Sequence, residues 1–336
     1  MQTKLIFLRP CSPFHLQTGG GDHESVDLYP RSDTLSAAIT YWWFRQYGKV
    51  PGFPEQMPFR VSSLFPAITK GSKILRLLPK PTGISIDPER HPHKVYKRVR
   101  WFDEALFEQW LAGADMTHFL PEASDDPRLK RDGEILVADP VSDSGTGPLL
   151  KTDARTRVTL DRLTNESTPF HFVRVFHSLD ILLWFYVDLE PEKEERFMGL
   201  LRILGDEGLG ADRTVGMGQF TIEHVQPVKA KTPPKRNSYQ YNLGIFNPLP
   251  EEAENINWLN STYQLKTRTG WVSGKTLRRK PVPCIIENAV LFSETALKGN
   301  MPCVVDKDDE LIPEEKRPDY SVYRDCRGYF ISCKRD

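Results

Sequence analysis

Apolar and polar positions change period several times along this chain, and each change marks an element. Leu5 to Leu8 form a short apolar run stopped by Pro10-Cys11-Ser12-Pro13, the pattern of a buried strand. From Ser32 the period becomes helical: Leu35, Ala38, Ile39, Trp42 and Trp43 share a face until Gly48, with Ser32 as N-cap and Asp33 complementing the dipole. A strand is predicted at 59–65. From about 66 to 156 the pattern is mixed and proline-interrupted, which predicts an insertion with mobile loops rather than a separate core. Strand-like runs return at 157–162, 171–176 and 180–189, and the last two are spaced as a hairpin across His177-Ser178-Leu179.

A second helix is predicted after Pro191, with Glu192, Glu194 and Glu195 in its first turn and Phe197, Leu200, Leu201 and Leu204 on one face. It runs into a loop at 205–220 in which Gly205, Gly208, Gly210, Gly216 and Gly218 fall within fourteen residues. A strand opens at Phe220. The order strand, helix, two strands, helix, strand from Leu5 to Gln226 is that of a ferredoxin-like unit carrying an insertion. Lys229 to Arg236 reads as a linker, and runs at 239–246, 263–272, 284–292, 301–306 and 329–334 predict a second, β-rich unit. The expectation is therefore an α+β chain of two domains, 1–228 and 229–336.

At 336 residues the chain is long enough for about two domains with a well-buried core. Its 45 Lys and Arg balance 45 Asp and Glu, so affinity for a polyanion has to come from local basic patches. Five cysteines without a C-x-x-C pair indicate neither a zinc module nor a disulfide framework. The short apolar run at the start is not a signal peptide and no later run approaches a membrane span, so a reducing cytoplasm is expected.

The glycine loop invites a nucleotide-binding reading, which its context excludes. A Walker A loop needs a Gly-Lys-Ser/Thr ending, whereas Gly216 is followed by Met217; a dinucleotide fingerprint follows a strand and opens a helix, and this loop does the reverse. Two readings stay open: a helix C-cap at Gly205 or Gly208 with a bulge at Gly216 or Gly218, or a row of backbone N–H groups with Arg213 and Thr214 that holds phosphate or sugar. Gly20-Gly21-Asp22 lacks the second carboxylate of a cyclase site, and His91-Pro92-His93 has no partner at zinc spacing and reads as a solvated loop, so neither cofactor nor metal is expected. Basic clusters lie at Lys94 to Arg100 with Tyr96 and Trp101 interleaved, at Arg128 to Arg131, at Arg155, Arg157 and Arg162, at Lys229 to Arg236 and at Arg278 to Lys280. The first has the make-up of a single-stranded RNA contact; each also reads as a solvated face.

The glycine loop behind its amphipathic helix resembles the G-rich loop of the RAMP superfamily of CRISPR proteins. Pro13-Phe14-His15 with Gly19 to Gly21, Ser32 to Leu35, and Arg157 to Arg162 are similar to one branch, the Cas-five-like fourth-subunit family of type III-A effectors. The resemblance implies two RRM-like folds and a non-catalytic subunit that caps the 5′ repeat-derived tag of crRNA, between a large polymerase-cyclase-like subunit and a backbone RAMP subunit. It implies RNA contacts from His15, Gly19, Gly20, Gly21, Gly208, Gly210, Arg213, Gly216 and Gly218, to which the residue pattern adds Thr214, Arg157 and Arg162. The ordinary RRM stacking signature is missing, which favours backbone contacts from loops. Because some relatives cleave precursor crRNA with a histidine near this loop, an endoribonuclease using His15 with His23 or Arg31 is the alternative, as is the equivalent subunit of a type III-B or III-D complex. Valine at Gly216 or Gly218 is expected to weaken RNA binding with the fold intact.

Overall fold

The structure, a computed structural model, describes residues 1–18, 25–87, 89–142, 144–161, 163–164, 166–228, 236–272 and 277–334. Most of the expected linker, 229–235, lies outside them. The first part of the chain runs β1 (Gln2–Pro10), α1 (Ser32–Tyr47), β2 (Phe59–Val61), β3 (Phe65–Lys70), β4 (Lys73–Pro79), α2 (His93–Arg98), β5 (Trp101–Asp103) and α3 (Glu104–Leu111). It continues through β6 (Leu129–Lys130), β7 (Ile135–Leu136), β8 (Leu150–Leu160), β9 (Ser167–His177), β10 (Ile181–Leu189), α4 (Glu194–Glu207) and β11 (Phe220–Pro227). The remainder holds β12 (Ser238–Asn242), α5 (Pro250–Asn255), β13 (Ile256–Thr262), β14 (Leu265–Arg268), β15 (Val282–Ile285), β16 (Val290–Ser293), β17 (Cys303–Val305), β18 (Val322–Tyr323) and β19 (Phe330–Cys333).

β10 is the strand on which the first sheet is built. Its sequence is apolar at nearly every position because both faces are covered: Leu183, Phe185, Val187 and Leu189 point to one core, Leu182, Trp184 and Tyr186 to another. It pairs antiparallel with β1 on one edge and with β2 and β3 on the other, in the order β11-β1-β10-β3-β4-β5-β7-β6. The first core is closed by α1 through Leu35, Ile39 and Trp43 and by α4 through Phe197, Leu200, Leu201 and Leu204. The second is closed by Phe107 and Trp110 of α3 and by Tyr241, Tyr329 and Ile331 of the second sheet, whose order is β13-β16-β12-β19. Tyr186 stacks on Tyr329 with centroids 5.7 Å apart, so the two sheets share one packed interior.

Two expectations give way here. The 66–156 stretch is no loop-rich insertion: β3 to β7 extend the first sheet, and Trp101, Phe102, Phe107, Ile135 and Leu136 are core residues. Prolines and turns interrupted the pattern, and β5, β6 and β7, of two or three residues each, cannot display a period. The expected hairpin of 171–176 with 180–189 does not form. β9 pairs with β8 along eleven residues, Leu150↔His177 to Leu160↔Ser167, while β10 enters the centre of the first sheet. A strand apolar on both faces is stable only where both faces are covered, and the β8–β9 ribbon offers no such cover: Val158, Leu160 and Leu163 are exposed.

Candidate nucleic-acid interface

Three segments far apart in sequence meet at the glycine loop. α4 ends at Gly208, whose φ of +89° and N–H to the Leu204 carbonyl make it the C-cap. The loop then folds onto residues 11–16: the Gly218 N–H donates to Pro13 O at 2.9 Å, the Ala211 N–H to His15 O at 2.9 Å, and the Gln219 N–H to Ser12 Oγ at 2.9 Å. The β8–β9 ribbon completes the cluster, with Phe14 bridging Val175 near its base and Arg157 further along ion-paired to Asp212.

This geometry explains the glycine density. A Cβ on Gly208 would overlap the Met217 carbonyl oxygen, one on Gly218 the Leu209 carbonyl oxygen, and one on Gly210 would lie 2.6 Å from His15 O. The close approach that these glycines permit is that of the loop to its own chain. Gly216 differs, because at φ +80° the nearest atom to its Cβ would be Gln219 Oε1 at 3.9 Å. It ends a single turn, Arg213–Val215, whose Thr214 and Val215 (63% exposed) form the outer crest of the loop. Valine at Gly216 leaves this packing in place, whereas valine at Gly218 drives a side chain into backbone, so the two are not equivalent probes.

His15 lies beneath the crest. It is fully buried, its Nδ1 is 2.7 Å from Val173 O, and its ring lies 4.0 Å from that of Phe172. The Arg157 guanidinium lies 4.0 Å from the Phe172 ring, bringing His15, Phe172 and Arg157 together along the ribbon. Of the other expected site residues, Gly19, Gly20, Gly21 and Arg162 lie outside the described residues, as does His23.

The other basic clusters are partly structural. Trp101 is core and packs edge-on to Tyr29 at 5.2 Å, while Tyr96 covers the Lys80 ammonium at 3.8 Å, so neither ring offers a free stacking platform. Lys94, Lys97, Arg98 and Arg100 do face solvent. Arg131 is buried against Asp180 and the Thr146 carbonyl, and Arg128 is tied to Asp126. His91, expected in a solvated loop, is fully buried.

Sequence reasoning missed the charged cluster between α1 and the second unit. Asp33 has a side chain with 0% exposure and is held by Arg268 and Arg324, and Arg268 also reaches Asp27 at 2.7 Å. Burial alone would raise the Asp33 pKa, but the two guanidinium groups hold it well below the usual carboxylate range. Ser32, expected as N-cap, accepts instead from the Ile245 N–H at 2.7 Å, and Ser36 donates to Asp325 at 2.7 Å. Nothing local marks these contacts, because the partners are separated by more than two hundred positions. Beside this cluster, between α1, the glycine loop and β14, opens a cavity of about 480 Å³.

No protein-family model and no curated protein matches the chain. The fold defines its class: over its whole length this chain is folded like chains built into type III-A CRISPR-Cas complexes. In particular it is similar to a chain in the crystal structure of a Csm3-Csm4 subcomplex of the type III-A interference complex, with 16% identity, TM-score 0.66 and coverage of 99% of this chain and 100% of that one. Chains in Csm1-Csm4 cassettes crystallised with pppApA and with cA4 align at 16% identity, the first over 100% of this chain and 99% of that one with TM-score 0.56, the second over 99% of each with TM-score 0.55. No helix among the described residues is long and apolar enough to cross a membrane.

Proposed function

We propose that this chain is a non-catalytic, cytoplasmic subunit of a type III-A CRISPR interference complex, and that it binds the 5′ repeat-derived tag of crRNA. Its neighbours in this reading are the large polymerase-cyclase-like subunit and a backbone RAMP subunit. Whole-length similarity of fold to chains from Csm3-Csm4 and Csm1-Csm4 assemblies supports it. So does the strand order: β11-β1-β10-β2 and β19-β12-β16-β13 are equivalent, as in two ferredoxin-like units in tandem. The observation that carries the RNA assignment is the glycine-loop crest. Thr214 stands outward, with Arg213 and Gly216 partly covered beside it, on a platform made rigid by the backbone contacts of Gly208, Gly210 and Gly218.

The endoribonuclease alternative needs His15 at an RNA hydroxyl, and a fully buried ring against Phe172 is poorly placed for that. Two experiments test the proposal. The purified chain mixed with precursor crRNA is expected to bind without cutting; specific cleavage abolished in His15→Ala overturns the non-catalytic reading. Binding of tagged RNA by Arg213→Ala is expected to weaken, with the slope of log K against log salt falling by about 0.7 for every phosphate that is no longer neutralised. Equal binding of tagged and untagged RNA removes the tag assignment. Co-purification with type III-A, III-B or III-D partners decides which complex the chain serves.

A further inference from the structure

The cavity beside Asp33 carries more positive charge than its own carboxylates neutralise. Five arginines and three aspartates line it, with no lysine or glutamate. Asp27 is shared by Arg31, Lys266 and Arg268, Arg31 is also paired to Glu287 behind the cavity wall, Asp33 is shared by Arg268 and Arg324, and Asp325 belongs to Arg327. Arg279 makes no ion pair with any described residue, and its buried Nε, like that of Arg324, has no hydrogen-bond partner among the described residues. Burial and the adjacent Arg324 guanidinium push Arg279 down to about 10, with Asp33 only partly offsetting them. Arg279 as a residue is half-buried, with its Nε shut off from solvent; a shielded cation without a counter-charge is costly to the folded state, and such groups persist where a ligand supplies the missing partner.

Size and lining narrow the ligand. About 480 Å³ is far larger than one inorganic anion and within the range of small-molecule sites. One wall is aromatic: Tyr41, Phe44 and Tyr320 line it, the last two with rings 5.3 Å apart. Guanidinium donors match phosphate oxygens, and aromatic faces take a planar base.

We infer that this cavity is a nucleoside-phosphate site, with Arg279 and Arg324 binding the phosphate and the Tyr41–Phe44–Tyr320 wall receiving the base. The inference holds whether or not the glycine-loop crest binds a tag. Phosphate of this kind comes either from a free nucleotide or from an RNA chain, and the two are separated by probe.

The full chain is titrated calorimetrically with AMP, with adenosine, and with a single-stranded RNA octamer lacking terminal phosphates. AMP or the octamer is expected to bind and adenosine not; AMP alone identifies a free nucleotide, and binding of the octamer identifies RNA phosphate as a source. Arg279→Met is expected to weaken that binding at least tenfold while raising the thermal midpoint of the unliganded protein, since it removes an uncompensated, half-buried charge. The rise in midpoint separates loss of the site from loss of the fold. Absence of binding of both phosphate probes by the wild type, or wild-type affinity in Arg279→Met, overturns the proposal.

Discussion

The two sheets of this protein share a strand order and differ in what covers them. The first closes one face with two full helices, α1 of sixteen residues and α4 of fourteen; among the described residues the second has only α5, of six residues, between its equivalent strands. Where an α4 equivalent would lie, between β16 and β19, the second unit has the two-stranded pair β17–β18 and its loops. It is therefore held by borrowed contacts. Tyr241, Tyr329 and Ile331 pack into the first unit's second core, and Arg268 and Arg324 close on Asp33 of the first unit's helix. A sheet whose own helical layer is reduced becomes stable by burying its face against another element.

That dependence sets the largest expected effect. Asp33→Asn leaves the buried Arg324 without its carboxylate and Arg268 with Asp27 alone, a destabilisation of about 3–5 kcal/mol in urea unfolding. Amide exchange should rise in β14 and β18 before β1 and β10; uniform exchange would mean that the second unit does not lean on α1. Gly218→Ala adds a Cβ against the Leu209 carbonyl at φ +75° and is expected to cost about 3 kcal/mol, an effect on the first unit with no counterpart in the second.

The third test uses pH. Burial between Phe14 and Tyr29 pushes His177 down to about 4 from its ordinary 6.5. The unfolded chain therefore takes up a proton below about pH 6.5 that the folded chain refuses until about pH 4, and stability falls as pH falls through that window. Between pH 7 and pH 5 the decrease is about 2 kcal/mol, and His177→Phe should abolish that part of the pH dependence. A wild-type slope in the variant would place the titration elsewhere. The smallest effect is that of Gly216→Ala, about 1 kcal/mol from its positive φ alone. A cost equal to that of Gly218→Ala would show that the crest, too, is packed against protein.

Much of the first unit was legible in the sequence. The stripe Phe197, Leu200, Leu201, Leu204 became the buried face of α4, and the apolar run of residues 181–189 became the central strand. The glycine loop was legible as a place of close backbone approach. What it approaches was not, since residues 11–16 are two hundred positions away. Likewise Asp33 carried a true local signal, a helix start, that concealed a larger one. Its partners Arg268 and Arg324 sit in runs with no feature to single them out.

By itself the sequence determined where helices and long strands form, because periodicity, caps and glycine placement act over a few residues. Only the tertiary structure decided which strand pairs β9, that the 66–156 stretch joins the core, and that Gly208, Gly210 and Gly218 serve the chain's own packing. It alone brought Arg268, Arg279 and Arg324 to one cavity. Pairing and charge convergence are set by which distant surfaces remain to be covered, and no local pattern of residues carries that information.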